Sequence, residues 1–237
     1  MKIWRFSTTA SGRPSPPNGR EPAFYIGRGR PALSREDARH AAKVLRLRPG
    51  DEIVALDGAG GRFRARLKEE GSVELLETLP SNEPRLRLTV YQGVPKADKL
   101  ELLAQKLTEL GVTRLVPVEM ERSVRHFEKV ERLRKIAREA AKQCRRALPM
   151  EITEPMPWPK AVLDMRARER LVAPWEEATD GRLTALPPCN DIGLLIGPEG
   201  GISARADRGK TARKPSPSAR AYCARRPPRS PRPPSSW

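Results

Sequence analysis

The sequence predicts an α/β chain in which a small β-rich module with one helix precedes a mostly parallel α/β domain. Three observations carry that prediction. Residues 51–79 hold three short runs of partial apolar alternation, DEIVALDG, GRFRARLK and SVELLETL, parted by DGAGG and EEG turns. Residues 86–201 alternate strand-like runs with helix-period stretches at βαβ spacing. The last apolar run, Ile192 to Ile196, ends in GPEGG, where a parallel sheet places its ligands beyond the C-terminal strand ends.

Element by element, STTASGRPSPPNGREP (7–22) has no periodicity and reads as loop. Ser34 opens SREDARHAAKVLRLRPG as a helix cap with Asp37 three positions on; Ala41, Val44, Leu45 and Leu47 are its apolar positions and Pro49–Gly50 its stop. After the three short strands, LRLTVY (86–91) is a fourth. QGVPKADK leads into a helix whose stripe is Leu100, Leu103, Leu107 and Leu110, halted by Gly111. TRLVPVE is the next strand, and KVERLRKIAREAAKQCRR is a helix with Val130, Leu133, Ala137, Ala140 and Cys144 on or near one face. A weaker helical segment surrounds Ala161 to Arg168, and RLVAPW and IGLLIG are strands. The expected divisions are 1–80, 86–203 and a tail, 204–237.

Charge is concentrated at the ends. The 237 residues carry 46 Lys plus Arg against 29 Asp plus Glu, a formal +17, the balance of a protein that meets polyanions. Residues 1–33 and 204–237 supply +5 and +9, so the body between them is nearly balanced and does not by itself announce a nucleic-acid binder. Three widely spaced cysteines and two histidines give neither a disulfide scaffold nor a metal-ligand spacing, so no metal is expected. No 18-residue apolar run is present and MKIWRF leads into no hydrophobic signal core, so no membrane contact and a cytoplasmic location are expected.

Three clusters fall at strand ends: QGVPKADK with Lys96 and Lys99, EMERSVRH with Arg122 and Arg125, and Gly197 to Gly201. A phosphate loop spaces its glycines with small or basic residues, and Glu199 would repel a phosphate. The turn therefore suits a neutral or cationic ligand met by backbone groups; the plain alternative is a tight turn with a solvated glutamate. Arg122, directly past a buried strand, has the planar fork that grips phosphate, and a neighbouring Lys adds a point charge. Lys99 and Arg125 read first as solvated surface, whereas for Arg122 the two readings stand level. Lys135, Arg138, Lys142, Arg145 and Arg146 could steer an anion or simply face water, and Cys144 reads as a packed thiol, with no base beside it. No Ser–His–Asp or paired-carboxylate arrangement is present, which disfavours hydrolase chemistry; transfer by positioning and desolvation needs fewer special residues.

HAAKVLRLRPGDEIVALDGAGG (40–61), QGVPKADKLELLAQKLTELGVTRLVPVEMERSV (92–124), REAAKQCRR (138–146) and LLIGPEGGIS (194–203), in that order, resemble the bacterial RsmE family. These are small-subunit ribosomal RNA uridine-N3 methyltransferases of the SPOUT superfamily. The resemblance implies a PUA-like β-barrel RNA-binding module within residues 1–80, then a methyltransferase domain with a trefoil knot. It implies S-adenosyl-L-methionine as cofactor, small-subunit ribosomal RNA or the assembled subunit as partner, and a homodimer where the C-terminus is intact. By position in the family's motifs, Leu195, Ile196, Gly197, Pro198, Glu199, Gly200 and Gly201 are the expected first cofactor loop. Arg122 and Glu199 are the expected catalytic residues, and Arg46, Lys96, Arg122 and Arg125 the RNA contacts. Beyond Ser203 the family continues with a second cofactor loop and a closing helix, whereas here Ala204–Trp237 holds seven prolines and ten Lys or Arg in 34 residues. That segment is expected to be disordered, and both ends have the composition of GC-rich DNA translated out of frame. Two functions follow as expectations: N3-uridine methylation, or RNA binding by a catalytically impaired chain of the same descent.

Overall fold

A computed structural model of the 237-residue chain describes residues 21–27, 29–95, 97–123, 127–174 and 188–202. The expectations for the N-terminal loop, for Lys96 and Arg125, and for the tail fall outside these residues. The described residues form two compact units. One draws on Met1–Pro84, Glu101–Thr113 and Glu131–Glu151, the other on Arg85–Leu100, Arg114–Val130 and Ile152–Trp237.

In the first unit, β1 (Ala23–Tyr25), β2 (Glu52–Leu56), β3 (Arg62–Leu67) and β4 (Val73–Leu79) form a sheet in that order. The first pair is parallel, the next two antiparallel, and a register irregularity lies between Arg64 and Ala65. Bridges from residues 32 and 33 to Ser72 and Ile26 draw the β1 and β4 edges together. One face buries Phe24, Ile53, Ala55, Ala65, Leu67 and Val73 with Ala41 of α1 (Arg35–Lys43). The Ser34 side chain caps α1 by accepting from the Asp37 amide at 3.0 Å. The helix stops at Lys43, earlier than Pro49–Gly50 suggests. Val44 and Leu45 are therefore exposed rather than core, and the chain reverses at Arg46, whose φ is 55°.

The other face of the sheet packs Tyr25, Val54 and Leu56 against Ala141 and Ala147, at and just beyond the end of α3 (Val130–Cys144). The α3 face is the one its period predicts: Val130, Leu133, Ala137 and Ala140 are buried. Its basic residues are not mere solvent face. Lys142 Nζ reaches Asp37 Oδ1 at 2.7 Å and Glu139 Oε1 at 2.8 Å, and Arg138 lies 5.0 Å over the Tyr25 ring. Arg145 turns left-handed (φ 60°), which ends the helix and carries Arg146 inward to 5% exposure. There Arg146 donates to Glu83 Oε2 at 3.0 and 2.8 Å, and to the Thr108 and Val112 carbonyls at 2.9 Å each. In α2 (Ala97–Glu109) the buried positions are Leu100, Ala104 and Thr108; Leu110 lies past the helix end and is exposed.

The larger sheet runs β7 (Glu151–Ile152), β6 (Arg114–Glu119), β5 (Arg87–Gly93), β10 (Asp191–Ile196), β9 (Arg170–Val172), with β8 (Met156–Pro157) also on β6. The β10–β5, β5–β6 and β10–β9 pairs are all parallel. The last strand in sequence thus lies between β5 and β9. Helix α4 (Trp158–Arg166) covers one face, joining Trp158, Ala161, Val162 and Met165 to Tyr91, Val116, Val118, Met120, Met156 and Leu195.

The α4 end nearest the strand beginnings is fixed by charge. The Tyr91 hydroxyl and Arg114 Nη1 both donate to Asp164, the latter at 2.9 Å. Burial and the Asp164 carboxylate push the Tyr91 phenol far above its ordinary range. Partial burial alone would raise Asp164, but the hydrogen bonds from Tyr91 and Arg114 outweigh it and hold the carboxyl below its ordinary 3.8. A depressed carboxyl contributes stability that is complete above its unfolded-state value and is lost as pH falls through its folded value. Urea unfolding of the parent and of Asp164→Asn is therefore expected to show a gap that stays constant from about pH 7 to about pH 5 and narrows below about pH 4. A pH-independent gap would show that the charge of Asp164 contributes nothing.

Candidate functional site

Because β10, β5 and β6 run parallel and side by side, the segments that leave their C-terminal ends meet. Ile196 pairs with Gln92, and Gly93 with Val118. The turn after β10 then folds over the end of β5: a Cβ built on Gly93 would stand 2.5 Å from Pro198 Cδ, 2.7 Å from the Pro198 nitrogen and 3.1 Å from Met120 Sδ. No side chain fits there, so the absence of one at position 93 is what lets three strand ends pack.

Polar contacts hold the turn from several directions. Gln92, 5% exposed, donates its side-chain amide to the Gly93 carbonyl at 2.9 Å and the Gly197 carbonyl at 3.3 Å. Arg122 Nη1 donates to the Gly200 carbonyl at 2.9 Å, and Lys99 Nζ pairs with Glu199 Oε1 at 2.8 Å. Within the turn the Gly201 amide donates to the Pro198 carbonyl at 2.9 Å, with Gly201 at φ 71°. The post-β6 segment is tied in its own right, since the Ser123 hydroxyl accepts from the Met120 amide at 2.9 Å and donates to its carbonyl at 3.0 Å.

Arg122, Glu199 and Gly197–Gly201 are thus brought together. Leu195 lies beneath them in the core, and Ile196 is half-buried. A Cβ on Gly200 would meet the Arg122 side chain at 3.2 Å, so the close approach there is to Arg122. Arg46 belongs to the other unit and is exposed; Lys96 and Arg125 lie outside the described residues.

Sequence reasoning singled out neither Gln92 nor Gly93. Both sit in the quoted QGVPK run, and the signal available was a glutamine ending a buried strand next to a glycine. Chemically, the turn offers backbone carbonyls and amides, one carboxylate, and an apolar floor of Met120, Leu195 and Ile202. Where a Cβ on Gly201 would stand the space is open. Such a set suits a ligand with apolar and polar edges; Lys99 offsets the Glu199 charge and Arg122 stands beside them, so the turn carries no excess of negative charge. Among the described residues no group of three His, Cys, Asp or Glu could hold a metal ion, and no helix is long and apolar enough to cross a membrane.

Residues 82–207 match the RNA methyltransferase domain family, and residues 33–76 match the RNA methyltransferase PUA domain family. The chain is similar to the ribosomal RNA small subunit methyltransferase E of Bacillus subtilis, with 29% identity over 191 residues, 73% of this chain and 75% of that protein. It is 30% identical to the same-named protein of Mycobacterium bovis over 185 residues, 71% and 70% of the two chains. Among solved structures it resembles ribosomal RNA small subunit methyltransferase E of Neisseria gonorrhoeae bound to S-adenosyl methionine. There the TM-score is 0.71 with 28% identity over 81% of this chain and 85% of that one.

Proposed function

From the premise that the chain belongs to the ribosomal RNA small subunit methyltransferase E family of SPOUT enzymes, with a PUA-like region, we propose that it transfers a methyl group from S-adenosylmethionine to N3 of a uridine in small-subunit ribosomal RNA. The observation that carries this reading is the convergence at Gly93 of the ends of β5, β6 and β10, where the glycine turn is clamped by Gln92, Lys99 and Arg122. The residues present fit the cofactor: backbone groups of the turn would hold its polar edges, Met120 and Ile202 would line its apolar parts, and the Glu199 carboxylate would tolerate a sulfonium. When bound, the cofactor supplies an electrophilic methyl group.

The chain's own residues do the rest. Gly197–Gly201 orient the ligand by backbone, and Gln92 keeps two carbonyls of the pocket wall fixed. N3 methylation removes the N3 proton, leaving negative charge shared with the flanking carbonyl oxygens of the base. Arg122 stabilises that charge, since its guanidinium has five N–H donors and spends one on Gly200. The pairing of Glu199 with Lys99 supports a role in holding the turn, and the proton leaves to water at this exposed surface. In this reading residues 1–80, with Arg46, form the RNA-binding module, and residues 86–203, with Lys96 and Arg125 on the RNA side, form the methyltransferase domain, whose complete knot and homodimer depend on an intact C-terminus.

The second reading, RNA binding without transfer, is favoured by the proline- and arginine-rich sequence of Ala204–Trp237, which has no apolar stripe with which to build a closing helix. One assay tests both: methyl incorporation into small ribosomal subunits, with cofactor and RNA binding measured separately. Incorporation at N3 of uridine that falls at least tenfold in Arg122→Gln even at saturating cofactor is the expected result, a loss beyond any that the broken Gly200 contact causes in cofactor affinity. RNA binding with no incorporation at saturating cofactor would establish the second reading instead.

A further inference from the structure

At the opposite edge of the parallel sheet, arginines collect where the strands begin. Arg114, Arg87 and Arg170 enter β6, β5 and β9, and the register places Arg87 beside Asp191. Arg85 precedes β5 by two residues, while Arg166 and Arg168 close α4. Arg168 is brought to the strand beginnings by its 3.3 Å contact with Asp191 Oδ2. Among the described residues, the carboxylates at this edge are Asp164, Glu169 and Asp191, with Glu151 opening β7 beside the start of β6.

The carboxylates organise the cluster without neutralising it. Asp164 takes Arg114 at 2.9 Å and lies 4.0 Å from Arg168; Asp191 lies 3.3 Å from Arg168 and 3.8 Å from Arg87. Glu169 accepts from the Asn190 amide at 2.9 Å. Arg114 and Arg168 are thereby held half-buried, while Arg85, Arg87 and Arg166 face water with an excess of positive charge behind them. All six cations are arginine, whose planar fork suits phosphate oxygens and is more weakly hydrated than a lysine head.

We propose that this edge is a second footprint for the phosphate backbone of the RNA, an inference that rests on the reading of RNA as substrate. The seven residues of β5 separate the footprint from the glycine turn, a span of about 20 Å at about 3.3 Å per residue. An oligonucleotide of about three nucleotides, about 10 Å at about 3.4 Å each, does not bridge that span. The substrate class is therefore a longer RNA that presents backbone at both edges at once.

The test uses the full chain and the double variant Arg85→Gln, Arg166→Gln, both exposed and outside the ion pairs that hold α4. The probes are protein-free small-subunit ribosomal RNA and a short single-stranded oligonucleotide, each titrated across salt, together with S-adenosylmethionine alone. For the long RNA, the slope of log affinity against log salt is expected to shrink by about 1.5–2, roughly one phosphate per arginine, with affinity down about tenfold at low salt. Oligonucleotide and cofactor affinities are expected to stay unchanged. An unchanged slope on the long RNA overturns the proposal and shows a purely structural network, and equal losses on both RNAs overturn it by placing the arginines at the reaction site. A parent chain that bound neither RNA would overturn the RNA reading itself, a different failure.

Discussion

Replacing Arg146 by Met is expected to cost about 3–5 kcal/mol of stability, the usual penalty for leaving one half of a buried ion pair without its partner. The guanidinium is 5% exposed and serves three segments at once: Glu83 before β5, and the carbonyls of Thr108 and Val112 around the end of α2. Met keeps most of the volume but none of the donors, so a carboxylate and two carbonyls are stranded. Glu83 also accepts from the Leu148 amide at 3.1 Å, and the Arg146 carbonyl accepts from the buried Tyr25 hydroxyl at 2.8 Å, so the loss spreads to both neighbours. Urea unfolding measures the cost. Adding Glu83→Gln is expected to restore part of it, because the stranded charge is then gone. A single-variant loss below about 1 kcal/mol would mean that water reaches Glu83 and that the arginine is no hub.

The second large effect is expected at Gly93. In Gly93→Val the new side chain must displace Pro198, since even a Cβ would stand 2.5 Å from its ring and 2.7 Å from its nitrogen, and backbone cannot rotate away as a side-chain tip can. Overpacking of this kind costs about 1–3 kcal/mol, and here the strain is released by moving the ligand turn. Cofactor affinity by calorimetry is expected to fall at least tenfold while the unfolding curve of the chain stays cooperative. Unchanged affinity would show that the turn adapts and that Gly93 does not set its position. Gly60→Ala serves as the control: it has positive φ in the other unit, so it is strained without touching the turn.

Much of this architecture was legible because it is periodic. The α3 face, the apolar runs of β5, β6 and β10 and the Ser34 cap each depend on residues close in sequence, and GPEGG marks its own turn. What was not legible depends on partners far along the chain. The three residues of β1 pair in parallel with β2 and carry no alternation to detect. Arg146 reads as one more charge on a basic helix because the reversal before it falls on Arg145, without the glycine that usually announces a left-handed stop. Val44, Leu45 and Leu110 fit helical stripes on paper, yet each lies just past its helix end and faces water. At the site, Lys99 and Glu199 are both visible as charges, but that they pair across 100 residues is written nowhere locally.

The place of β10 between β5 and β9 governs how the protein is made. When β5 leaves the ribosome its partner on that side is still about 100 residues away, and β9 waits for the same strand. At about 5–20 residues per second, the β5 edge stays open for roughly 5–20 s of synthesis and the β9 edge for roughly 1–4 s, long enough for chaperones or neighbouring nascent chains to find the first. Pairing so distant in sequence also makes for slow refolding, because the closure of a long loop precedes the contacts that reward it. The ligand turn follows directly on this last strand, so the site cannot exist before the sheet is closed, and a ribosome stalled ahead of Asp191 releases a chain with its core exposed and nothing to bind.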